Sequence, residues 1–208
     1  MSRTKPQSER REELIGATLK SIELYGLSGT TIKTISAIAD ISVGLINHHF
    51  GTKQALIESA VRYLLEQLKQ GLLSSIDSLD PDQDPKRQAR KRLDKIVETN
   101  FTAFQQSSSA ASTWLCFWAE AAHSPELSRL QQVNCRRLRS NLAFSFAQLI
   151  DDRAKALDAA ETTAAMIDGF WLRSTLSPEP EQCFVAAEQY CKSYIEQLIV
   201  LHGVEQEK

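Results

Sequence analysis

Between Thr30 and Ile57 the signals that start and stop helices fall so close together that only short helices fit between them. Gly26 and Gly29 are followed by the Thr30–Thr31 hydroxyls, then Ser42, then Gly51 and Thr52. A hydroxyl at such a point accepts a hydrogen bond from the open N–H groups of a helix's first turn, and glycine tolerates the backbone that ends one. The spacing predicts a first helix that carries Leu14, Ala17, Thr18, Ser21 and Tyr25 and stops at Gly26. A short second helix turns Ile32, Ile35, Ile38 and Ala39 inward, and a third runs from Ser42 to about Phe50. Thr52 caps a fourth that continues through Leu56, Ile57, Ala60, Leu64 and Leu68. Two short helices around a turn share one core and leave one outward face. With Ile46 and Phe50 inward, that face of the third helix is Val43, Gly44, Asn47 and His48 beside Ser42. Outward Asn and His suit base edges or phosphates, and Gly44 permits close approach. A merely solvated polar face has the same pattern over so short a stretch.

The rest of the chain keeps the helical period, and no alternating strand pattern competes with it. Asp77 to Pro85, with two prolines and four aspartates, is the one clear linker. Beyond it the periodicity predicts helices over about 86–106, 111–122, 125–151, 158–176 and 181–201. The expectation is an all-α chain: a three-helix N-terminal domain over 1–55, its helix-turn-helix at 31–50, and a helical domain over 56–208 for effector binding and dimerisation.

At 208 residues and 42% hydrophobic content the chain can bury a core. Its net charge of -2 announces no partner, but the charge is uneven: residues 1–53 carry seven cations, Arg3 and Lys5 among them, against five acids. The remainder is acidic, which argues against a non-specific architectural DNA binder. Four cysteines without a C-x-x-C pair and four histidines without metal spacing predict free thiols and no metal. The polar N-terminus and the lack of a membrane-length apolar run predict a cytoplasmic protein with no membrane contact. Asp168, Glu120 and His123 are an acid–base set on paper, yet no nucleophile elbow, metal spacing or phosphate loop accompanies them, so an enzyme is not expected.

Trp114, Phe117 and Trp118 stand at i, i+3 and i+4, so their rings share one helix face, with Glu120 close by. Trp171 follows Asp168-Gly169-Phe170, in which the glycine is expected to let another helix approach. Plain core is one reading of such a stripe. The other is a cage for a quaternary ammonium, which has no N–H to donate and is held by ring faces at about 0.5 to 2 kcal/mol per contact. Taking that cation out of water requires a negative group, for which Glu120 and Asp168 are candidates. Asn134 and Asn141 are candidates for a ligand hydroxyl.

The segment TTIKTISAIADISVGLINHHFGTKQALI, Thr30 to Ile57, resembles the DNA-binding signature of the TetR family: the threonine pair, Ile-Ala in the second helix, Ser-x-Gly opening the third, a His-Phe close and then Lys53. The resemblance implies a repressor that binds palindromic operator DNA as a homodimer. Thr31, His49 and Lys53 then hold phosphates, Ser42, Val43, Gly44, Asn47 and His48 face the groove, and Lys33 belongs to the DNA-binding set. Asn47 stands where the family more often has tyrosine, and His49 where an aromatic is common. The family dimerises through its last two helices, here offering Ala164, Ile167, Val185, Ala186, Tyr190, Tyr194, Ile195, Leu198 and Val200; the intrachain core is the other reading for these positions. More narrowly, TWLCFWAEAAHSPELSRLQQVNCRRLRSNL (Thr113 to Leu142) and IDGFWLR (Ile167 to Arg173) are similar to the choline-responsive betaine regulators of the BetI type. That likeness implies choline as effector, no cofactor, and control of genes that make glycine betaine; the alternative is another cationic or lipophilic small molecule.

Overall fold

A computed structural model describes residues 6–203, so Arg3 and Lys5 lie outside the described residues. The described residues form helices and no strand, in the order α1 (Gln7–Gly29), α2 (Ile32–Ala39), α3 (Val43–Phe50), α4 (Lys53–Asp77), α5 (Pro85–Asn100), α6 (Ala103–Gln106), α7 (Ser108–Ala121), α8 (Pro125–Phe146), α9 (Arg153–Thr175) and α10 (Pro180–His202). The all-α expectation holds.

Local capping sets most of these boundaries. Thr31 and Thr34 close the start of α2 reciprocally: the Thr34 N–H donates to Thr31 Oγ1 at 3.1 Å, and the Thr31 N–H to Thr34 Oγ1 at 2.8 Å. Ser42 Oγ accepts from the Leu45 N–H at 3.3 Å and Thr52 Oγ1 from the Ala55 N–H at 3.1 Å. Capping also explains where the sequence expectations shift. Ser107 caps α7, which therefore starts at Ser108 rather than 111. Asp152 caps α9 ahead of the expected 158, and Pro180 occupies the first turn of α10. The expected helix over 86–106 divides, because Phe101 leaves helical geometry and α6 is a separate turn. The one expected over 125–151 ends at Phe146, after which the Gln148 and Leu149 amides bond three residues back in tightened turns. Helical geometry breaks at Gly26, where the stop is expected, at φ 63° and ψ -179°, a backbone that glycine alone adopts readily; beyond this kink a short turn carries α1 on to Gly29.

The chain divides into two compact units. The first is Met1–Gln67 with Ser107–Gln131, and the second is Leu68–Gln106 with Gln132–Lys208. In the first, Leu14, Ala17, Ile35, Ile41, Ile46 and Leu56 form one core that α1, α2, α3 and α4 share, and α7 packs on α1. In the second, α9 packs on α10 and α5 on both, around Leu93, Ile96, Ile167, Phe184, Cys191 and Ile195. No helix among the described residues is long and apolar enough to cross a membrane.

Candidate DNA-reading face and effector pockets

The turn between α2 and α3 is built by Asp40, at φ 53°, and by Ser36, whose hydroxyl donates to the Ile41 carbonyl at 2.6 Å. It brings the chain round so that Ile46 is fully buried while Ser42, Val43, Gly44, Asn47 and His48 are exposed. A Cβ placed on Gly44 meets nothing within 4 Å, so this end of α3 is open to a close-lying partner. His49 is half-buried, its ring edge-on to that of His48 at 5.5 Å. Phe50 is also half-buried, beneath the Arg11 guanidinium at 4.5 Å, which itself donates to Ser59 Oγ at 3.2 Å. Thr31 and Lys33 are exposed at the start of α2. Lys53 Nζ donates to the Leu27 carbonyl at 2.9 Å, so this expected phosphate holder also fastens the kinked end of α1. Sequence reasoning missed both Arg11 on Phe50 and Lys53 on Leu27, since partners 39 and 26 positions apart leave no periodic trace.

On α7, Trp114 and Phe117 are buried and Trp118 is half-buried, with ring centroids 5.7 Å (Trp114–Phe117) and 6.0 Å (Trp114–Trp118) apart. Glu120, also half-buried, follows on the same helix. This aromatic helix lies in the same compact unit as α3 and is fastened to α1 twice. Ser109 Oγ donates to the Glu23 carboxylate, which Lys20 also holds at 2.8 Å; these two bonds keep the Glu23 carboxyl below its usual range. Further along α7, burial pushes the Cys116 thiol up, and the Leu27 backbone amide partly counters this. Leu27 therefore meets α7 through its amide and Lys53 through its carbonyl.

The other expected effector residues belong to the second unit, where they do not all line one pocket. Asn134 and Asn141 line a cavity of about 30 Å³ with Leu68, Leu72, Asn100 and Arg137, room for about one or two waters. Asp168 lines a different groove, of about 190 Å³, with Arg136, Arg139 and Glu161; Leu138 borders both. Burial pushes the Asp168 carboxyl up to about 6. Trp171 is buried against Phe184, centroids 6.0 Å apart, and Phe170 stacks on Tyr190 at 5.5 Å. A Cβ on Gly169 meets nothing within 4 Å among the described residues. The dimer candidates also divide. Ile167 and Ile195 face their own core, whereas Val185, Tyr190 and Val200 are exposed at 62%, 58% and 83%. Asn141 has a partner that the sequence did not announce, Arg92, whose Nη2 donates to its Oδ1 at 2.8 Å.

Residues 14–60 match the tetR family of bacterial regulatory proteins, and residues 89–200 match the BetI-type transcriptional repressor C-terminal domain. The HTH-type transcriptional regulator BetI of Burkholderia mallei is 41% identical over 190 residues, 91% of this chain and 93% of that one. Among solved structures, a transcriptional regulator from Pseudomonas aeruginosa PAO1 superposes with a TM-score of 0.78 at 28% identity, over 95% of this chain and 93% of that one. A regulator from Saccharomonospora viridis, in complex with choline, superposes with a TM-score of 0.76 at 20% identity, over 91% and 96%. The capped α2–α3 pair, the open face of α3 and the agreement through both halves of the chain lead to one conclusion: the protein is a transcriptional regulator, not an enzyme, and belongs to the tetR family in its BetI-type branch.

Proposed function

We propose that this regulator is a repressor of genes for converting choline to glycine betaine, that choline is its effector, and that it binds a palindromic operator as a homodimer. The observation that carries the reading is the BetI-type match over 89–200, which lies outside the helix-turn-helix, with 41% identity to a BetI regulator across nearly the whole chain. A choline complex of a protein with the same fold is in keeping with it.

The DNA-binding set is Thr31, Lys33, Ser42, Val43, Gly44, Asn47, His48, His49 and Lys53, with Asn47 and His48 at the groove and Thr31, His49 and Lys53 at phosphates. So few cations give one copy little phosphate-derived affinity at cellular salt, so two copies act together. The exposed apolar residues Val185, Tyr190, Val200 and Leu201 supply surface for pairing through the last two helices. The two α3 helices then meet half-sites about 34 Å apart along the duplex.

Choline is held by ring faces on α7, principally Trp118, with Glu120 as counter-charge. α7 reaches the reading head inside its own unit, through Ser109–Glu23 and through Leu27, which Lys53 grips at the threshold of α4. A hundredfold loss of operator affinity needs about 2.7 kcal/mol of coupling, within reach of two or three cation–ring contacts made in one conformer only. A second reading, a lipophilic effector, would use the same ring faces of α7 without the counter-charge.

The test is Trp118→Ala in an operator-binding titration with and without choline. Operator affinity is retained and the choline response falls at least roughly tenfold, the equivalent of about one lost contact. An unchanged choline response removes Trp118 from the site, and a response to lipophilic compounds but not to choline favours the second reading.

A further inference from the structure

Helix α5 carries a run of cations, most of which meet a carboxylate. Lys91 and Arg87 sit on Asp82 at 2.9 and 3.7 Å, Arg90 on Glu196, and Lys95 on Glu98 at 2.7 Å. Arg92 has no carboxylate within ion-pair distance among the described residues. Its guanidinium lies 5.1 Å over the Phe144 ring, Nη2 donates to Asn141, and Nε is buried without an acceptor. Burial lowers its pKa, as expected for a cation with no counter-charge. One turn earlier on the same face, Gln88 Oε1 is buried without a donor. Both orphaned atoms belong to residues that line one open cavity of about 330 Å³, which Phe144 and Ser145 of α8 also line, with Asp82 among its residues. Phe144 is 62% exposed.

A half-buried guanidinium and a buried amide oxygen each cost free energy when left unmade, and a ligand that completes both recovers it. Asp82 already meets Lys91 and Arg87, so Arg92 is the charge lining the cavity that is left without an ion-pair partner. A monoanion matches it, whereas a dianion leaves a charge over. Guanidinium geometry favours a planar, two-oxygen acceptor. Gln88 asks for a donor, and as i, i+4 neighbours Gln88 and Arg92 have Cβ atoms about 6 Å apart, roughly the span of one ring. Phe144 and Ala89 supply apolar surface between them.

We propose that this cavity binds a small organic monocarboxylate that bears a hydroxyl or amino donor on an apolar body, its carboxylate on Arg92 and its donor on Gln88. The site takes an anion, and it stands or falls separately from the choline reading.

Calorimetric titration of the full chain with 4-hydroxybenzoate, benzoate and 4-hydroxybenzamide tests it. 4-Hydroxybenzoate binds saturably, the uncharged amide at least roughly tenfold more weakly, and benzoate, which lacks the donor, roughly three- to tenfold more weakly. Arg92→Met lowers 4-hydroxybenzoate affinity at least roughly tenfold. Gln88→Leu keeps benzoate binding and abolishes the advantage of 4-hydroxybenzoate over it, a signature that general destabilisation does not produce. Saturating choline leaves all these affinities unchanged. The proposal is overturned by an absence of saturable heat with 4-hydroxybenzoate, by equal affinities of wild type and Arg92→Met, or by displacement with choline.

Discussion

The reading head around α2 and α3 and the second compact unit use their polar side chains differently. In the first, hydroxyls close helices three residues away: Thr31 with Thr34, Ser42 with Leu45, Thr52 with Ala55. In the second, the bonds cross long stretches of sequence, as in Arg92 to Asn141 and Lys192 to Glu98 at 2.8 Å, and buried polar atoms of Gln88, Arg92, Thr163 and Thr175 make none. A reading head specified locally presents one fixed shape to DNA. Orphaned polar atoms and a carboxyl raised by burial leave interactions that a ligand or partner can complete.

Three substitutions probe this contrast. The largest effect belongs to Ile46→Ala, which empties a fully buried position in the core that α1 to α4 share. It costs about 2 to 4 kcal/mol in urea denaturation and abolishes operator binding. Retained operator binding at full occupancy means that the shared core does not fix α3. Asp168→Asn comes next. The folded chain holds the Asp168 proton up to about pH 6, while the unfolded chain releases it near its ordinary value, so wild-type stability falls as pH rises from about 4 through about 6. The Asn variant lacks that decline: it matches wild type near pH 4 and exceeds it by about 1 to 2 kcal/mol at pH 7.5. Parallel pH profiles of melting temperature mean that this carboxyl carries no burial cost. The smallest effect is that of Thr31→Ala, which removes half of the capping box and costs about 1 kcal/mol. A loss within error places the start of α2 under tertiary rather than local control.

The same contrast explains what was legible in the sequence. Ser42, Gly51, Thr52 and the inward isoleucines of α2 act within a turn or two, and these rules foretold α2, α3 and the outward set Val43, Gly44, Asn47 and His48. Gly26 breaks the helix as a local rule indicates, whereas the bond from Lys53 to the Leu27 carbonyl just beyond it spans 26 positions and leaves no local sign. In the sensing half, an aromatic stripe at helical spacing looks the same whether it lines a core or a cavity. Trp171 and Trp118 were therefore grouped by composition, although one is sealed against Phe184 and the other is half-buried on α7. Asn141 reads in the sequence as a candidate for a ligand hydroxyl, and its partner Arg92 leaves no trace there, since nothing local connects α5 with α8.

The central claim, that paired copies of the Val43–Phe50 helix read a palindrome and choline weakens that grip, is most directly tested by sedimentation of the full chain with fluorescent duplexes carrying the palindrome upstream of its own gene. The account predicts two chains on each duplex, loss of the complex when one half-site is scrambled, and weakening of the complex by choline. A single chain per duplex, or equal binding to the scrambled sequence, contradicts it.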